Sequence, residues 1–239
     1  LETLNQYRNK VTVVATDGAF LDCVKKGVTP KYVVSVDGSD VCTKWFDSPL
    51  ITGLRSKVIL CSQTSRKVVE LVKKQCLDVY WYHPATDMIS KPNSLTRAML
   101  YETICDKHPN GLLACYAGGN VGTTALVMTF NVFKSCDVAL IGFDFSYPKD
   151  LPLSDSYYYD RAVEYEGYLS TNTKYDEYIH PIWKTRAWID PIFKVYRDSL
   201  YETVEDLPQG ISITNCTEGG VLTHRKLPCT MFKEWLDKK

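Results

Sequence analysis

The chain has 239 residues with 28 basic and 28 acidic side chains, so its formal net charge at pH 7 is zero. A balanced charge creates no overall field that would attract nucleic acid or an anionic membrane. The longest apolar runs, 11–15 and 138–143, are far shorter than the roughly 20 residues of a membrane-spanning helix. We therefore expect one domain over residues 1–239, with no nucleic-acid partner and no membrane span.

The nine cysteines are odd in number and form no CxxC pair. Cys61, Cys105, Cys115 and Cys136 lie in apolar segments, which is typical of reduced core thiols. We recognise no cleavable signal sequence in the chain. These features predict a cytoplasmic protein.

The first part of the chain alternates predicted strands and helices. Runs rich in β-branched residues at 11–15, 32–36, 57–61 and 78–82 predict four strands, and helical patterns follow the first and the third. This alternation predicts parallel βαβ units, whose right-handed crossovers place the carboxyl end of every strand at one edge. Ligands bind along that edge in such sheets.

The second part begins with a predicted helix at about 94–106, a helix at 120–133 and a strand at 137–143. Residues 146–178 are polar, rich in tyrosine and show no sustained period, so we expect a long loop or lid-like insertion of about 146–180 rather than a core element. A helix at 191–204, a strand at 211–214 and a helix near 230–236 follow. The sequence therefore predicts an α/β, Rossmann-like three-layer sandwich with a mostly parallel sheet and a long tyrosine-rich loop or lid.

The segment AGGNVGTT at 117–124 places small residues where a predicted helix begins. Free amide groups and the helix dipole favour an anion there, and glycines let a phosphate approach the backbone. The segment lacks the lysine and the glycine spacing of the common nucleotide-binding motifs. Its candidate nucleotide-binding residues are Gly118, Gly119, Asn120, Gly122 and Thr123. The alternative is structural: Gly122 allows close helix packing and Thr123 caps the helix.

Four acidic residues stand at predicted strand ends: Asp17, Asp37, Asp40 and Asp144. Carboxylates at that edge can hold a magnesium ion against a diphosphate, or accept hydrogen bonds from ribose or base. Each of them, taken alone, is equally explained as a turn or capping residue.

His180 follows the tyrosine-rich segment and could serve as a general base near neutral pH. The hydroxyl of Tyr158 or Tyr159 could donate a hydrogen bond to a departing phosphate. A structural histidine, and an aromatic surface that covers core or an oligomer interface, are the alternatives. His83, at another strand end, is the second candidate base.

The segment NCTEGG at 215–220 follows the last predicted strand. The side chains of Asn215, Thr217 and Glu218 could read the edge of a nucleobase or sugar. The alternative is a tight turn in which the glycine pair supplies positive φ angles.

Three blocks carry a family resemblance: VTVVATDGAFLDCVKKGVTPKYVVSVDGSD, AGGNVGTTALVMTFNVFKSCDVALIGFDFSYP and ITNCTEGG. In this order they resemble the domain shared by archaeal 6-hydroxymethylpterin diphosphokinase and the motility accessory factors. The accessory factors are implicated in adding nonulosonic acids to flagellin, and they also resemble bacterial sialyltransferases that use a CMP-sugar. In the family an amino-terminal strand and a GxGPSL-type turn contribute to the nucleotide pocket, and the resemblance implies that this part is missing here.

The leading interpretation that the resemblance implies is a glycosyltransferase-like enzyme that moves a sialic or nonulosonic type of sugar from a CMP-activated donor. His180 would deprotonate the acceptor, Tyr158 or Tyr159 would meet the donor phosphate, and no cofactor would be needed. The remaining predicted residues of the nucleotide site are Gly118, Gly119, Asn120, Gly122, Thr123, Asp144, Asn215, Thr217 and Glu218.

The second interpretation is an ATP-dependent 6-hydroxymethyl-dihydropterin diphosphokinase, in which Asp17, Asp37 and Asp40 would hold Mg²⁺. The third is a nucleotide-binding module without catalysis. The acceptor, whether glycan, protein or pterin, stays open, and aromatic residues in the long loop indicate a possible homo-oligomer.

Overall fold

The structure, a computed structural model, describes residues 1–99, 114–116 and 118–239. These residues form two compact units, Leu1–Lys134 and Ser135–Lys239. Within the described ranges, we find no helix with both the length and the apolar character needed to span a membrane.

The first unit is built on five parallel strands in the order β1-β2-β3-β4-β5. The strands are β1 (Val14–Thr16), β2 (Tyr32–Val34), β3 (Lys57–Cys61), β4 (Asp78–Pro84) and β5 (Ala114–Cys115). The described helices of this unit are α1 (Leu4–Tyr7), α2 (Asp17–Lys25), α3 (Thr43–Phe46), α4 (Arg66–Lys74), α5 (Leu95–Arg97) and α6 (Val121–Asn131). The parallel order confirms the predicted Rossmann-like α/β class and gathers the carboxyl ends of the strands at one edge.

Helices cover both faces of this sheet. Val33 of β2 packs in one core cluster with Phe20 of α2, Phe46 of α3 and Val68 of α4. Because side chains alternate along a strand, Tyr32 points to the opposite face, where its ring stacks on Phe133 just after α6. Helix α6 contacts β1, β2 and β5, so the sheet curls around it. Helix, sheet and helix therefore form three layers.

Helix α4 shows how local sequence sets these elements. The Ser65 side chain accepts a hydrogen bond from the Val68 amide and so caps the first turn. Val68 and Val72 are spaced by four residues and are fully buried, while Lys73 and Lys74 close the last turn, where positive charge is favourable. The predicted helix forms because cap, apolar stripe and terminal charge agree.

The second unit contains a parallel strand pair and a small antiparallel sheet. Strands β6 (Asp137–Leu140) and β10 (Ser212–Asn215) pair in parallel, with Leu140 opposite Asn215. Strands β7 (Tyr147–Pro148), β8 (Asp176–Ile179) and β9 (Arg186–Ile189) form the antiparallel sheet in the order β7-β9-β8. Its helices are α7 (Tyr159–Glu166), α8 (Tyr168–Asn172), α9 (Pro191–Glu205) and α10 (Phe232–Leu236).

Residues 146–178, predicted as a long loop or lid rather than a core element, contain regular structure and buried side chains. The segment contains β7, α7, α8 and most of β8. Tyr147, Tyr159 and Tyr175 are buried in a common cluster, against which Trp188 and Phe193 pack. These elements have two to eight residues and are shorter than the window in which hydrophobic periodicity is detected, so the sequence pattern did not indicate them.

Two other predictions need correction. The strand predicted at 137–143 ends at Leu140, and Gly142, with φ +71°, departs from the extended conformation two residues later. Cys61 and Cys115 are buried as predicted, whereas Cys136 is exposed. Cys105 and most of the helix predicted at 94–106 lie outside the described residues.

Alanine at Gly220 should cost more stability than alanine at Gly210. Both residues have positive φ angles, +68° and +88°, which cost an alanine about 1–2 kcal/mol. A Cβ atom on Gly220 would also lie 2.5 Å from the Asp144 carbonyl oxygen, whereas a Cβ atom on Gly210 would have no described residue within 4 Å apart from its chain neighbours. Urea denaturation should show a larger loss for Gly220→Ala. Equal losses would contradict the close packing of this loop on Asp144.

Candidate functional site

The carboxyl edge of the five-stranded sheet collects polar side chains from successive loops of the first unit. Asp17 follows β1, Ser35 follows β2, and Ser62 follows β3. His83 lies near the end of β4, and Asn120 precedes α6 in the connection that follows β5. Parallel pairing places these groups along one edge, as the sequence predicts for a ligand site.

Asp17 is a buried carboxylate at this edge, with 6% of its surface exposed. It accepts hydrogen bonds from the Ser35 hydroxyl at 2.6 Å and from the Gly18 amide at 2.7 Å. Burial raises the pKa of Asp17, and repulsion from Asp37 raises it further, while the two hydrogen bonds lower it. A carboxylate that is buried although its charged form prefers water is typical of functional sites.

Asp37 and Asp40 are exposed and are engaged in local contacts. Asp37 accepts a hydrogen bond from the Ser39 amide at 2.7 Å. Asp40 pairs with Lys67 at 2.6 Å, and this hydrogen bond lowers the pKa of Asp40. Among the residues that the structure describes, no three His, Cys, Asp or Glu side chains are placed to hold a metal ion. Asp17, Asp37 and Asp40 therefore do not form the predicted magnesium-binding cluster, because the Asp40 carboxylate forms an ion pair with Lys67.

Four groups that sequence reasoning did not connect form a hydrogen-bonded chain at the same edge. The Ser62 hydroxyl lies 2.7 Å from Nδ1 of His83, and Nε2 of His83 lies 3.2 Å from the Thr96 hydroxyl. The Thr96 hydroxyl donates to Asp87. Of these four residues, only His83 is predicted from the sequence, as the second candidate base. The feature of the sequence that could have indicated this chain is the carboxylate of Asp87, four residues after His83.

Close approach of two loops shapes this region. A Cβ atom on Gly38 would lie 2.7 Å from the Gln63 carbonyl oxygen, so only glycine lets the loop after β2 touch the loop after β3. The Tyr82 hydroxyl donates to the Ser35 carbonyl at 3.1 Å, beneath the same loops. Asp37 and Ser62 are therefore carried by adjoining loops.

The glycine-rich segment closes on itself around Asn120. The Asn120 side chain accepts from the Thr123 amide at 2.9 Å and donates to the Gly118 carbonyl at 3.1 Å. A Cβ atom on Gly118, which has φ +55°, would lie 2.3 Å from Cγ2 of Thr123. Thr123 is fully buried, so its side chain packs rather than faces a ligand.

The first turn of α6 nevertheless offers donors. Gly119 precedes it with φ +73°, and Asn120 occupies the N-cap position. No described residue accepts a hydrogen bond from the amides of Val121 and Gly122. These two N–H groups, with the positive end of the helix dipole, are the part of the segment able to meet a phosphate.

In the second unit, the three residues predicted to contact a nucleobase or sugar form hydrogen bonds that stabilise their own loop. The Asn215 side chain is fully buried and donates to the Leu222 carbonyl at 3.0 Å. Thr217 accepts from the Phe143 amide at 3.2 Å, and Glu218 accepts from the Phe232 amide at 2.8 Å. These contacts tie the loop after β10 to the loop after β6 and to α10.

Asp144 differs from these neighbours. The residue keeps an exposed surface, yet protein atoms around its carboxyl raise the pKa of Asp144 by burial. Its Oδ1 atom and the Thr185 hydroxyl each lie 3.9 Å from the position of a Cβ on Gly219. Asp144 is therefore an exposed residue of this loop pair whose carboxyl lies close to Gly219.

His180 has the bonding of a structural histidine. It is fully buried, with Nε2 donating to the Leu222 carbonyl at 3.1 Å. Nδ1 accepts from the amides of Ile182 at 3.2 Å and Trp183 at 3.1 Å. Burial lowers the pKa of His180, so the ring is neutral near pH 7 with both nitrogens occupied. This bonding weighs against its predicted role as the base.

The two predicted tyrosines also have partners. The Tyr159 side chain is buried and its hydroxyl donates to Asn172 at 3.2 Å. The Tyr158 hydroxyl lies 3.4 Å from that of Tyr196. Tyr158 is the less buried residue of the two.

The predicted nucleotide-binding residues fall into both units. Gly118, Gly119, Asn120, Gly122 and Thr123 belong to the first unit. Asp144, Asn215, Thr217 and Glu218 belong to the second. A pocket shared by the two groups stays a prediction.

Comparison with known proteins adds a family and a fold. The first 150 residues match a family described as 6-hydroxymethylpterin diphosphokinase MptE-like. None of the curated proteins compared with the chain is significantly similar to it. The solved structure of the Maf glycosyltransferase from Magnetospirillum magneticum AMB-1 resembles it with a TM-score of 0.63 and 13% identity, covering 96% of this chain and 31% of that one.

The glycosyltransferase comparison establishes the fold alone, since the identity is low and this chain spans about a third of that protein. The family match covers more than half of this sequence, residues 1–150 of 239, and includes β1 to β6 and α6. The chain therefore belongs to the 6-hydroxymethylpterin diphosphokinase MptE-like family.

Proposed function

We propose that the protein is a transferase that binds the phosphates of a nucleotide-activated donor at the carboxyl edge of its first unit. The observation that carries this proposal is the buried Asp17 carboxylate, which lies at the same sheet edge as the amides of Val121 and Gly122, for which no described residue is an acceptor. Paired amides attract phosphate, and a buried carboxylate can orient a ribose hydroxyl or a cation. Family membership supports a transferase, because the family is described as diphosphokinase-like.

The chemistry we favour is transfer of an acidic sugar, of the sialic or nonulosonic acid type, from a CMP-activated donor. Similarity to a glycosyltransferase structure extends over 96% of the chain, including the second unit that the family match barely enters. In this proposal Asp144 and Tyr158 are the candidate ligand-binding side chains of the second unit. The acceptor is a hydroxyl-bearing glycan or protein.

The second candidate is diphosphoryl transfer from ATP to a pterin alcohol. The repulsion between Asp17 and Asp37 favours it, because two neighbouring carboxylates are relieved by a shared cation. Hard carboxylate oxygens suit Mg²⁺, which commonly uses one or two carboxylates and completes its shell with phosphate and water. Bound there, Mg²⁺ would neutralise phosphate charge, and Asp17 and Asp37 would hold it.

Two further properties belong to this proposal. Free thiols such as Cys23, Cys42 and Cys61 suit the reducing cytoplasm. Tyr165 and Leu169 on α7 and α8 are about four-fifths exposed, which fits an aromatic surface used in self-association.

Calorimetric titration with CMP, CTP and ATP, each with and without Mg²⁺, should separate the chemistries. We expect cytidine nucleotides to bind without the metal. Gly118→Ala should weaken binding about tenfold, about 1.4 kcal/mol, by displacing the first turn of α6. Gly53→Ala is the matched control, because Gly53 has φ +69° in open space.

Binding of ATP alone, and only with Mg²⁺, would exclude the sugar donor and support the diphosphokinase. Tight binding without turnover in either assay would identify a non-catalytic nucleotide-binding module. No binding of any of the three would reject the proposed site.

Asp17→Asn should stabilise the protein at pH 7 and weaken donor binding. A raised carboxyl pKa means that folding favours the protonated form, so the charged form at pH 7 reduces the free energy of unfolding. The neutral amide removes that cost. Asp40→Asn is the control, since Asp40 is exposed and should change stability little. Lower stability with unchanged binding would make Asp17 a structural residue.

His180→Ala should mainly destabilise the second unit, because it removes one of two donors to the Leu222 carbonyl and leaves the amides of Ile182 and Trp183 without their acceptor. A loss of about 1–3 kcal/mol is expected from urea denaturation. Turnover per folded molecule should stay near the wild-type value. A drop of about a hundredfold in well-folded protein would restore His180 as the general base.

A further inference from the structure

The hydrogen-bonded chain Ser62, His83, Thr96 and Asp87 has one consistent direction of proton donation. The hydrogen bond from the Thr96 hydroxyl lowers the pKa of Asp87 more than burial raises it, so this carboxylate is ionised and can only accept. The single hydroxyl proton of Thr96 therefore goes to Asp87. Toward His83 the Thr96 oxygen must accept, which places the imidazole proton on Nε2.

With its proton on Nε2, the His83 ring presents a bare lone pair at Nδ1. The Ser62 hydroxyl lies 2.7 Å from that atom and donates its proton to it. His83 is 1% exposed, and burial lowers its pKa, so the ring stays neutral and able to accept a proton near pH 7. Hydroxyl, base and orienting group thus stand in the order that activates a nucleophile.

The position of Ser62 also suits this role. It is the first residue after β3 and precedes α4, so it lies in a turn between a strand and a helix. Turns of this kind present nucleophilic side chains at the edge of α/β sheets. Ser62 is only partly buried, whereas the imidazole behind it is almost fully enclosed. A ligand at the sheet edge could reach the hydroxyl while the base stays shielded from water.

We propose that Ser62 is a nucleophile, with His83 as its general base and Thr96 and Asp87 as positioning residues, and that this site takes an activated phosphoryl ester. The Ser62 oxygen attacks phosphorus, and an O–P bond forms as the bond from phosphorus to its leaving group breaks. The hydroxyl proton passes to Nδ1 of His83, and the leaving group departs with the electron pair. This inference does not depend on which nucleotide the protein binds.

Diisopropyl fluorophosphate tests the nucleophile without knowledge of the natural substrate. Attack by Ser62 releases fluoride and leaves one diisopropylphosphoryl group on the protein, which intact-protein mass spectrometry detects and peptide mapping locates. We expect one label, on Ser62. Ser62→Ala should abolish it, and Ser154→Ala should not, since Ser154 is exposed and its hydroxyl donates to the neighbouring Asp155 carboxylate rather than to a histidine.

Thr96 variants test the positioning role while leaving the buried imidazole intact. Thr96→Val removes the hydroxyl that joins His83 to Asp87 and should slow labelling about tenfold or more. Thr96→Ser keeps the hydroxyl and should label near the wild-type rate. Thermal denaturation would establish that both variants are folded at the assay temperature.

Absence of a label on Ser62 in the folded wild-type protein would overturn the proposal. Equal labelling rates for Thr96→Val and Thr96→Ser would remove Thr96 and Asp87 from it. Failure of nucleotide binding would leave the labelling result unchanged, so this inference and the proposed donor site fail separately.

Discussion

Parallel strand pairing is the constraint on which the candidate site depends. A parallel strand must be reached by a crossover, so β1 to β5 all end at one edge, and every loop that leaves them begins there. Asp17, Ser35, Ser62 and His83 are distant in sequence and become neighbours along that edge only through the ladder. Apolar packing of Val58 and Leu60 fixes the register and therefore the edge.

The two units use their polar residues differently. In the second unit, Asn215, Thr217 and His180 direct their hydrogen bonds into adjacent backbone and so make the loops rigid. In the first unit, burial disfavours the charged form of Asp17 and raises its pKa. The first amides of α6 have no acceptor among the described residues. Unsatisfied or strained polar groups persist where they serve ligand binding, which is why we place the binding of the donor phosphates in the first unit.

Both proposed reactions use this edge of the sheet, and they differ in the functional groups that they require there. Sugar transfer needs a hydroxyl or base near the acceptor, whereas diphosphoryl transfer needs cation binding by Asp17 and Asp37. The Ser62 and His83 pair adds a nucleophile that either reaction, or a separate one, could use. Family membership limits the fold and the broad class, and the substrate is decided by these few side chains.

The sequence by itself determined the alternation of strands and helices, because the apolar run at 57–61 and the capped stripe of α4 are local patterns. It also placed Asp17 and His83 at strand ends. Only the tertiary structure decided which polar groups satisfy one another: Thr96 reaches Asp87 and His83, and His180 is bound by Leu222, 42 residues away. Hydrogen-bond partners depend on three-dimensional proximity, and no periodicity in the chain records it.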